Sequence, residues 1–219
     1  PVKDEVIWAK EYSAELSSYH NLTQLFVSSG NQSNRWSPTQ EFVNTYLNRD
    51  GSRFTDASGY ETKSFVQNST NRDCRLAQSM MMPGYTKLNN NGEKMETTPD
   101  WSVTMTGYQV IKYNMDGTFY EVTNHSSNAV PVIRYAEILL NEAKAELGQM
   151  TSQVWNKTIR LLRERAGVGG SAPTSADPYL VSYYDNKVND MWLLEIRRER
   201  AIELFFEGGG LRYDDLMRW

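Results

Sequence analysis

Glu195, Glu199 and Glu203 recur every four residues near the C-terminal end of the chain, and they are its most obvious candidates for acid–base chemistry. A glycosidase needs two carboxyl groups facing one bond across about 5–9.5 Å, one of them kept protonated. Here the acids are interleaved with Arg197, Arg198 and Arg200, the pattern of a salt-bridge lattice. Arg212 and Asp215 follow the glycine run 208–210. A terminus folded back over that break would let these charges pair and hydrogen-bond across it. Arg134 and Glu137 read in the same way, as a solvated or interhelical ion pair. Arg134, Glu137, Glu199, Glu203, Arg212 and Asp215 are therefore assigned structural roles.

Nothing nucleophilic accompanies these acids. His20 and His125 lie in polar surroundings without a Ser or Cys partner motif, and no G-x-S-x-G occurs. The GGGLR run lacks the Lys-Ser/Thr that completes a phosphate loop. Cys74 is the single cysteine, so no disulfide can form within the chain, and two distant histidines cannot complete a His/Cys metal cluster. An all-carboxylate Ca²⁺ site stays open, although no EF-hand-like spacing appears. The expectation is a non-enzyme with no catalytic residue, no metal and no cofactor. A net charge of -4 gives no electrostatic reason for nucleic acid to bind.

Binding chemistry is better represented. The chain holds 13 Tyr, 7 Phe and 6 Trp, side chains that combine an apolar body with a polar tip. Sugar recognition sets an aromatic plane against the apolar face of a pyranose, while amides and charged groups take the hydroxyls. Trp36 is the first candidate, because SSGNQSNRW places it in a polar loop beside Asn31, Gln32, Asn34 and Arg35. Trp101, after Thr97-Thr98-Pro99-Asp100, is the second. Trp155, Trp192 and Trp219 fall on helical apolar faces or at the terminus and read as packing, and Met80-Met81-Met82 reads as core filler.

The elements that would carry these residues are clearest in the last third. Tyr135, Leu139, Ala143 and Leu147 recur every four residues and predict a helix over about 132–147, stopped by Gly148. Thr151 or Ser152 caps a second helix, with Trp155, Ile159, Leu162 and Ala166 on one face, ended by Gly167. A Gly, Ser, Ala and Pro-rich linker covers 167–178. The third helix spans roughly 190–207 and buries Leu193, Ile196, Ala201, Leu204 and Phe205, with Asp214 as the cap of a short terminal helix. The first two helices make a hairpin of about 35 residues, the size of one tetratricopeptide unit, and arrays of such units need about three repeats to stand alone. No second copy is found in residues 1–130, so the apolar face left open must be covered by the irregular N-terminal part, by chain not present here, or by both. Val6, Trp8 and Tyr12 suit a strand, although Ile7, Glu11 and Glu15 would also fit a helix, and 101–113 alternates enough for strands or extended segments. The expected fold is mainly α: a loop-rich region (1–130) with a few short strands, a tetratricopeptide-like hairpin (131–168) and C-terminal helices (188–219). No apolar run approaches the about 20 residues that span a bilayer. The chain opens at Pro1 rather than Met, as a processed protein or a segment of a longer one would.

Read together, these segments resemble the SusD/RagB family of outer-membrane nutrient-binding lipoproteins of Bacteroidetes. The strongest match is ERAIELFFEGGGLRYDDLMRW (199–219), followed by IRYAEILLNEAKAELG (133–148) and IRLLRERAGV (159–168). RDCRLAQSMMMPG (72–84), TGYQVIKYN (106–114) and PTQEFVNTYLNRDG (38–51) are weaker echoes in the family's order. The glycine run 208–210 is longer than the family's break, and Cys74 stands where the family commonly has Pro. Cys74 also lacks the residues that precede a lipidation cysteine. The resemblance implies the C-terminal part of a surface-exposed lipoprotein whose lipid anchor lies outside this chain. It implies capture of glycan, or in some members peptide, for a SusC-like TonB-dependent transporter, with no bond made or broken. A protein-interaction module without a small ligand is the alternative class, and a carbohydrate-active enzyme a more distant one.

Overall fold

The structure is a computed structural model and describes residues 4–28 and 35–219. Along the chain it runs β1 (Val6–Lys10), α1 (Leu22–Val27), α2 (Gln40–Asn44), α3 (Phe65–Ser69) and α4 (Cys74–Ser79). Then come β2 (Thr86–Leu88), β3 (Lys94–Glu96), β4 (Val130–Arg134), α5 (Tyr135–Ala145), α6 (Ser152–Lys157) and α7 (Ile159–Arg165). It closes with α8 (Pro178–Tyr183), α9 (Met191–Glu203) and α10 (Leu211–Arg218). The fold is mainly α, with two small sheets, β1–β4 and the antiparallel hairpin β2–β3. Two compact units interleave in sequence: unit 1 takes Pro1–Trp8, Glu41–Arg75 and Pro131–Trp219, and unit 2 takes Ala9–Gln40 and Leu76–Val130.

Unit 1 is organised by the helical periodicity. Ala136, Leu139, Leu140 and Ala143 of α5 pack against Trp155, Ile159 and Leu162 of α6 and α7, with Ile196 and Leu204 completing the cluster. Full burial of each large side chain is worth about 1.5–3 kcal/mol, so this cluster, more than intrinsic propensity, holds such short helices. The Trp155 indole N–H donates to the Gly170 carbonyl at 2.8 Å, so its burial leaves no orphan donor.

Several boundaries differ from the sequence reading. The helix expected from 132 begins at Tyr135, because 130–134 is spent on pairing with β1. The second helix is broken at Thr158 (φ -122, ψ -91), whose hydroxyl turns back to the Val154 carbonyl at 2.8 Å and competes with the helical ladder. Thr151 caps α6 as expected. A helix not expected from the sequence follows the linker: the Asp177 side chain accepts from the Tyr179 N–H at 2.8 Å and Pro178 fills the first helical position of α8. The terminal helix starts at Leu211 after Gly210, and Asp214 lies inside its first turn, where its charge favours the positive helix end, instead of capping it. α9 stops at Glu203, four residues short of the expected end.

One close approach in unit 1 requires glycine. The Gly169 N–H donates to the Arg49 carbonyl at 3.0 Å, and a Cβ on Gly169 would stand 2.0 Å from the Asp50 carbonyl oxygen. The facing residue, Gly51, has φ +88.

In unit 2 regular structure is sparse and loops are tied by individual bonds. Met80 bridges Val110, the Met81 N–H donates to the Gln109 carbonyl at 2.8 Å, and the Ile111 N–H to the Ser79 carbonyl at 3.0 Å. Met80, Met81 and Met82 are buried in this framework. The 101–113 run forms turns and extended chain with that single bridge, because its polar groups are drawn to loop residues instead of a neighbouring strand.

Candidate functional site

The carboxylates that suggested acid–base chemistry are buried and consumed by arginines, all within unit 1. Glu199 is wholly buried and accepts from Arg75 at 2.8 Å and from Arg163 at 2.7 Å. Glu203 accepts from Arg75 at 3.2 Å, Arg134 at 2.7 Å and Arg165 at 2.6 Å. Glu195 is bound by Arg163 and Arg198, Asp177 by Arg198, and Asp73 closes on Arg75 at 2.7 Å. Burial by itself would push Glu199 and Glu203 up. The guanidinium charges of Arg75 and Arg163 on Glu199, and of Arg75, Arg165 and Arg134 on Glu203, outweigh it and hold both below the ordinary carboxylate range. A general acid needs the opposite shift. These acids stay ionised and have no proton to give.

The Arg134–Glu137 pairing is not what forms. Arg134 is the extended residue ahead of α5 (φ -119, ψ 155), so it does not share a helical ladder with Glu137. It reaches instead to Glu203 and Glu207, each at 2.7 Å. Asp215 does fold back across the glycine break, accepting from Arg200 at 2.8 Å. Arg212 lies over the Trp219 ring, 5.3 Å from its centroid, instead of pairing with α9 acids.

Unit 2 carries a different polar arrangement, one that leaves aromatic surface uncovered. Trp36 is 48 % exposed and Trp101 69 % exposed. Trp36 rests edge-to-face on Phe26, ring centroids 5.8 Å apart. Its neighbour Ser37 accepts from the Met105 N–H at 2.8 Å and shares a 2.9 Å bond with the Thr104 hydroxyl. The Thr106 hydroxyl donates to the Pro38 carbonyl at 2.7 Å. On the other side, the Asp100 N–H donates to the Gln109 Oε1 at 2.8 Å, and the Gln109 amide donates to the Phe26 carbonyl at 3.1 Å.

The Ser102 main-chain N–H donates to the Asp100 carboxylate at 2.8 Å, fixing the turn that carries Trp101 and holding that carboxyl below its ordinary range. The Trp101 ring lies against Gly107, 3.4 Å from where a Cβ would stand. Both indoles thus hang on one cross-braced frame, connected through Phe26, Gln109 and Asp100. Exposed Met105 belongs to the same frame.

Arg35 is exposed beside Trp36, with φ +30, while Asn31 and Asn34 lie outside the described residues. Sequence reasoning did not single out Ser37, Thr104, Thr106 and Gln109, which position the tryptophans. Only the Asp100-Trp101-Ser102 turn left a local signal, an Asp bonding its own backbone two residues on.

No helix among the described residues is long and apolar enough to cross a membrane. A family model described as the SusD family matches residues 4–219. Among solved structures, a SusD-like carbohydrate binding protein from Bacteroides fragilis is 26% identical with a TM-score of 0.67, covering 98% of this chain and 41% of that one. A second SusD-like protein from the same organism is 22% identical with a TM-score of 0.62, covering 98% of this chain and 43% of its own. The chain therefore spans about two-fifths of the length of these structures. No curated protein matches the sequence.

Proposed function

The chain belongs to the SusD family, and from that premise we propose that it is the C-terminal part of a non-catalytic surface lipoprotein that captures oligo- or polysaccharide for a SusC-like TonB-dependent outer-membrane transporter. The observation that carries this reading is the pair of exposed indoles, Trp36 and Trp101, held on one hydrogen-bonded loop frame. An indole held in water by a braced loop is open to a partner without rearrangement, and its flat face suits the C–H face of a pyranose. Such contacts are individually weak. A millimolar site represents only about 4 kcal/mol in total, within reach of two aromatic planes and a few hydrogen bonds.

Capture needs no acid–base pair, and the saturated carboxylates of unit 1 are in keeping with that. Ligand meets the unit 2 loops, while helical surface meets the transporter. The fold relationship to a structure described as a carbohydrate binding protein supports glycan over peptide as cargo.

Affinity gel electrophoresis of the full-length protein against a panel of polysaccharides tests the reading. Retardation by at least one polysaccharide, lost in Trp36→Ala or Trp101→Ala, is the expected result. Failure of every polysaccharide to retard a protein that still co-purifies with an outer-membrane transporter would replace glycan capture with a purely protein-binding role.

A further inference from the structure

Unit 1 contains a polar cleft, lined by Asn48, Phe54, Lys63, Gln67, Thr70 and Asn71, with a volume of about 440 Å³. Small-molecule sites run from about 300 to 1,000 Å³, so the size suits a compact ligand. Several of its polar groups are only partly used within the protein. The Gln67 Oε1 accepts from the Ser64 N–H at 2.9 Å, which fixes the amide orientation and leaves its NH₂ group over. The Thr70 hydroxyl donates to the Val66 carbonyl at 2.8 Å and keeps its lone pairs. The Asn48 NH₂ donates to the Ser52 hydroxyl at 3.0 Å and keeps its oxygen. Asn71 sits at φ +56, exposed, and turns its amide to no protein partner among the described residues.

The charge in the lining is positive. The Lys63 ammonium lies over the Phe54 ring, 4.6 Å from its centroid, and pairs with no carboxylate among the described residues. The buried Arg72 guanidinium also stacks on Phe54, 3.6 Å from the centroid, a second positive charge against the same lining ring. Primary amides offer donor and acceptor together, which matches neighbouring sugar hydroxyls, and an ammonium beside them matches a carboxylate.

We infer that this cleft is a second binding site, for a sugar bearing a carboxylate: a uronic acid residue of an acidic glycan. The choice of a sugar rests on the capture reading; the cleft and its charge do not.

The test uses the full-length protein and trigalacturonic acid, titrated by calorimetry at low and moderate salt. Lys63→Met keeps the aliphatic stem on Phe54 and removes the charge. Asn71→Gly removes the amide while accepting the left-handed backbone. Binding in the millimolar range, weakened about tenfold by each substitution and weakened further by salt, is expected. Trp36→Ala/Trp101→Ala should leave this binding unchanged. Absence of binding, or binding unaltered in Lys63→Met and Asn71→Gly, overturns the inference. So does equal competition by sodium acetate, which would make the cleft a site for simple anions. Loss of trigalacturonate binding in the tryptophan variant alone would place the acidic sugar at the indoles, overturning the second site and leaving glycan capture standing.

Discussion

The two units of this protein use their polar side chains in different ways. Unit 1 buries arginines and carboxylates against one another until that lattice has little left for a ligand: Glu199, with no exposed surface, serves Arg75 and Arg163 at once. Unit 2 buries hydroxyls and an amide, those of Ser126, Thr104 and Gln109 among them, and leaves two tryptophans in solvent. The difference teaches that a dense cluster of ionisable residues is not by itself a sign of chemistry. What matters is whether the cluster's capacity is already consumed, and here the consumed set is scaffold while the unconsumed set is surface.

The harshest way to break the comparison is to remove a lattice carboxylate. Glu199→Ala would take one carboxylate from each of two buried guanidinium groups, leaving Arg75 to Asp73 and Glu203 and Arg163 to Glu195, and breaking a buried pair from one side costs up to about 3–5 kcal/mol. We expect Glu199→Ala to be poorly folded or to melt far below the wild type, whereas Trp101→Ala should melt close to it. Equal melting of the two variants would erase the distinction between the units.

Acid sharpens it further. Glu199 and Glu203 have folded-state values below their unfolded ones. Their contribution to stability is therefore present above the unfolded carboxylate range, near pH 4.3, and is lost as pH falls from there through the depressed folded values. Circular dichroism during an acid titration should show the helices of unit 1 holding at pH 5 and failing at progressively lower pH. Helix loss that begins above pH 6 would contradict this origin.

A smaller effect is expected at the glycine contact. Gly169→Ala would force the Asp50 backbone to move, and overpacking of this kind costs about 1–3 kcal/mol, read as a lowered denaturation midpoint with glycan retention otherwise intact.

Smallest in stability, yet informative about function, is Ser37→Ala. It removes the acceptor of the Met105 N–H and the partner of Thr104, costing about 1 kcal/mol. It should weaken polysaccharide retention more than its effect on melting suggests, because the frame beneath Trp36 loosens.

How far the sequence could be read follows the same division. The helices α5 and α9 and the cap at Thr151 are legible because helical periodicity and capping are local, although Tyr135 is exposed and α9 is buried on nearly every side instead of along one stripe. α8 is too short for helical periodicity to show and follows directly on the linker, so that only Asp177-Pro178, a helix-start signature, announces it. The charges of α9 read as a lattice, but not as a buried one, since a run of Glu and Arg ordinarily marks a solvated face. Their main partner, Arg75, lies 124 residues from Glu199, and no local pattern announces such a pair. Trp36 and Trp101 stood out as aromatics in polar loops. The bonds joining their loops, such as Ser37 to Thr104 across 67 residues, exist only after folding.

The central claim is that exposed indoles on a braced frame, and not the ionisable cluster of α9, carry polysaccharide capture. It is tested most directly by measuring polysaccharide retention and thermal melting together in Trp36→Ala/Trp101→Ala. The account predicts that retention disappears while the melting temperature stays within a few degrees of wild type. Full retention in a well-folded double variant would contradict it.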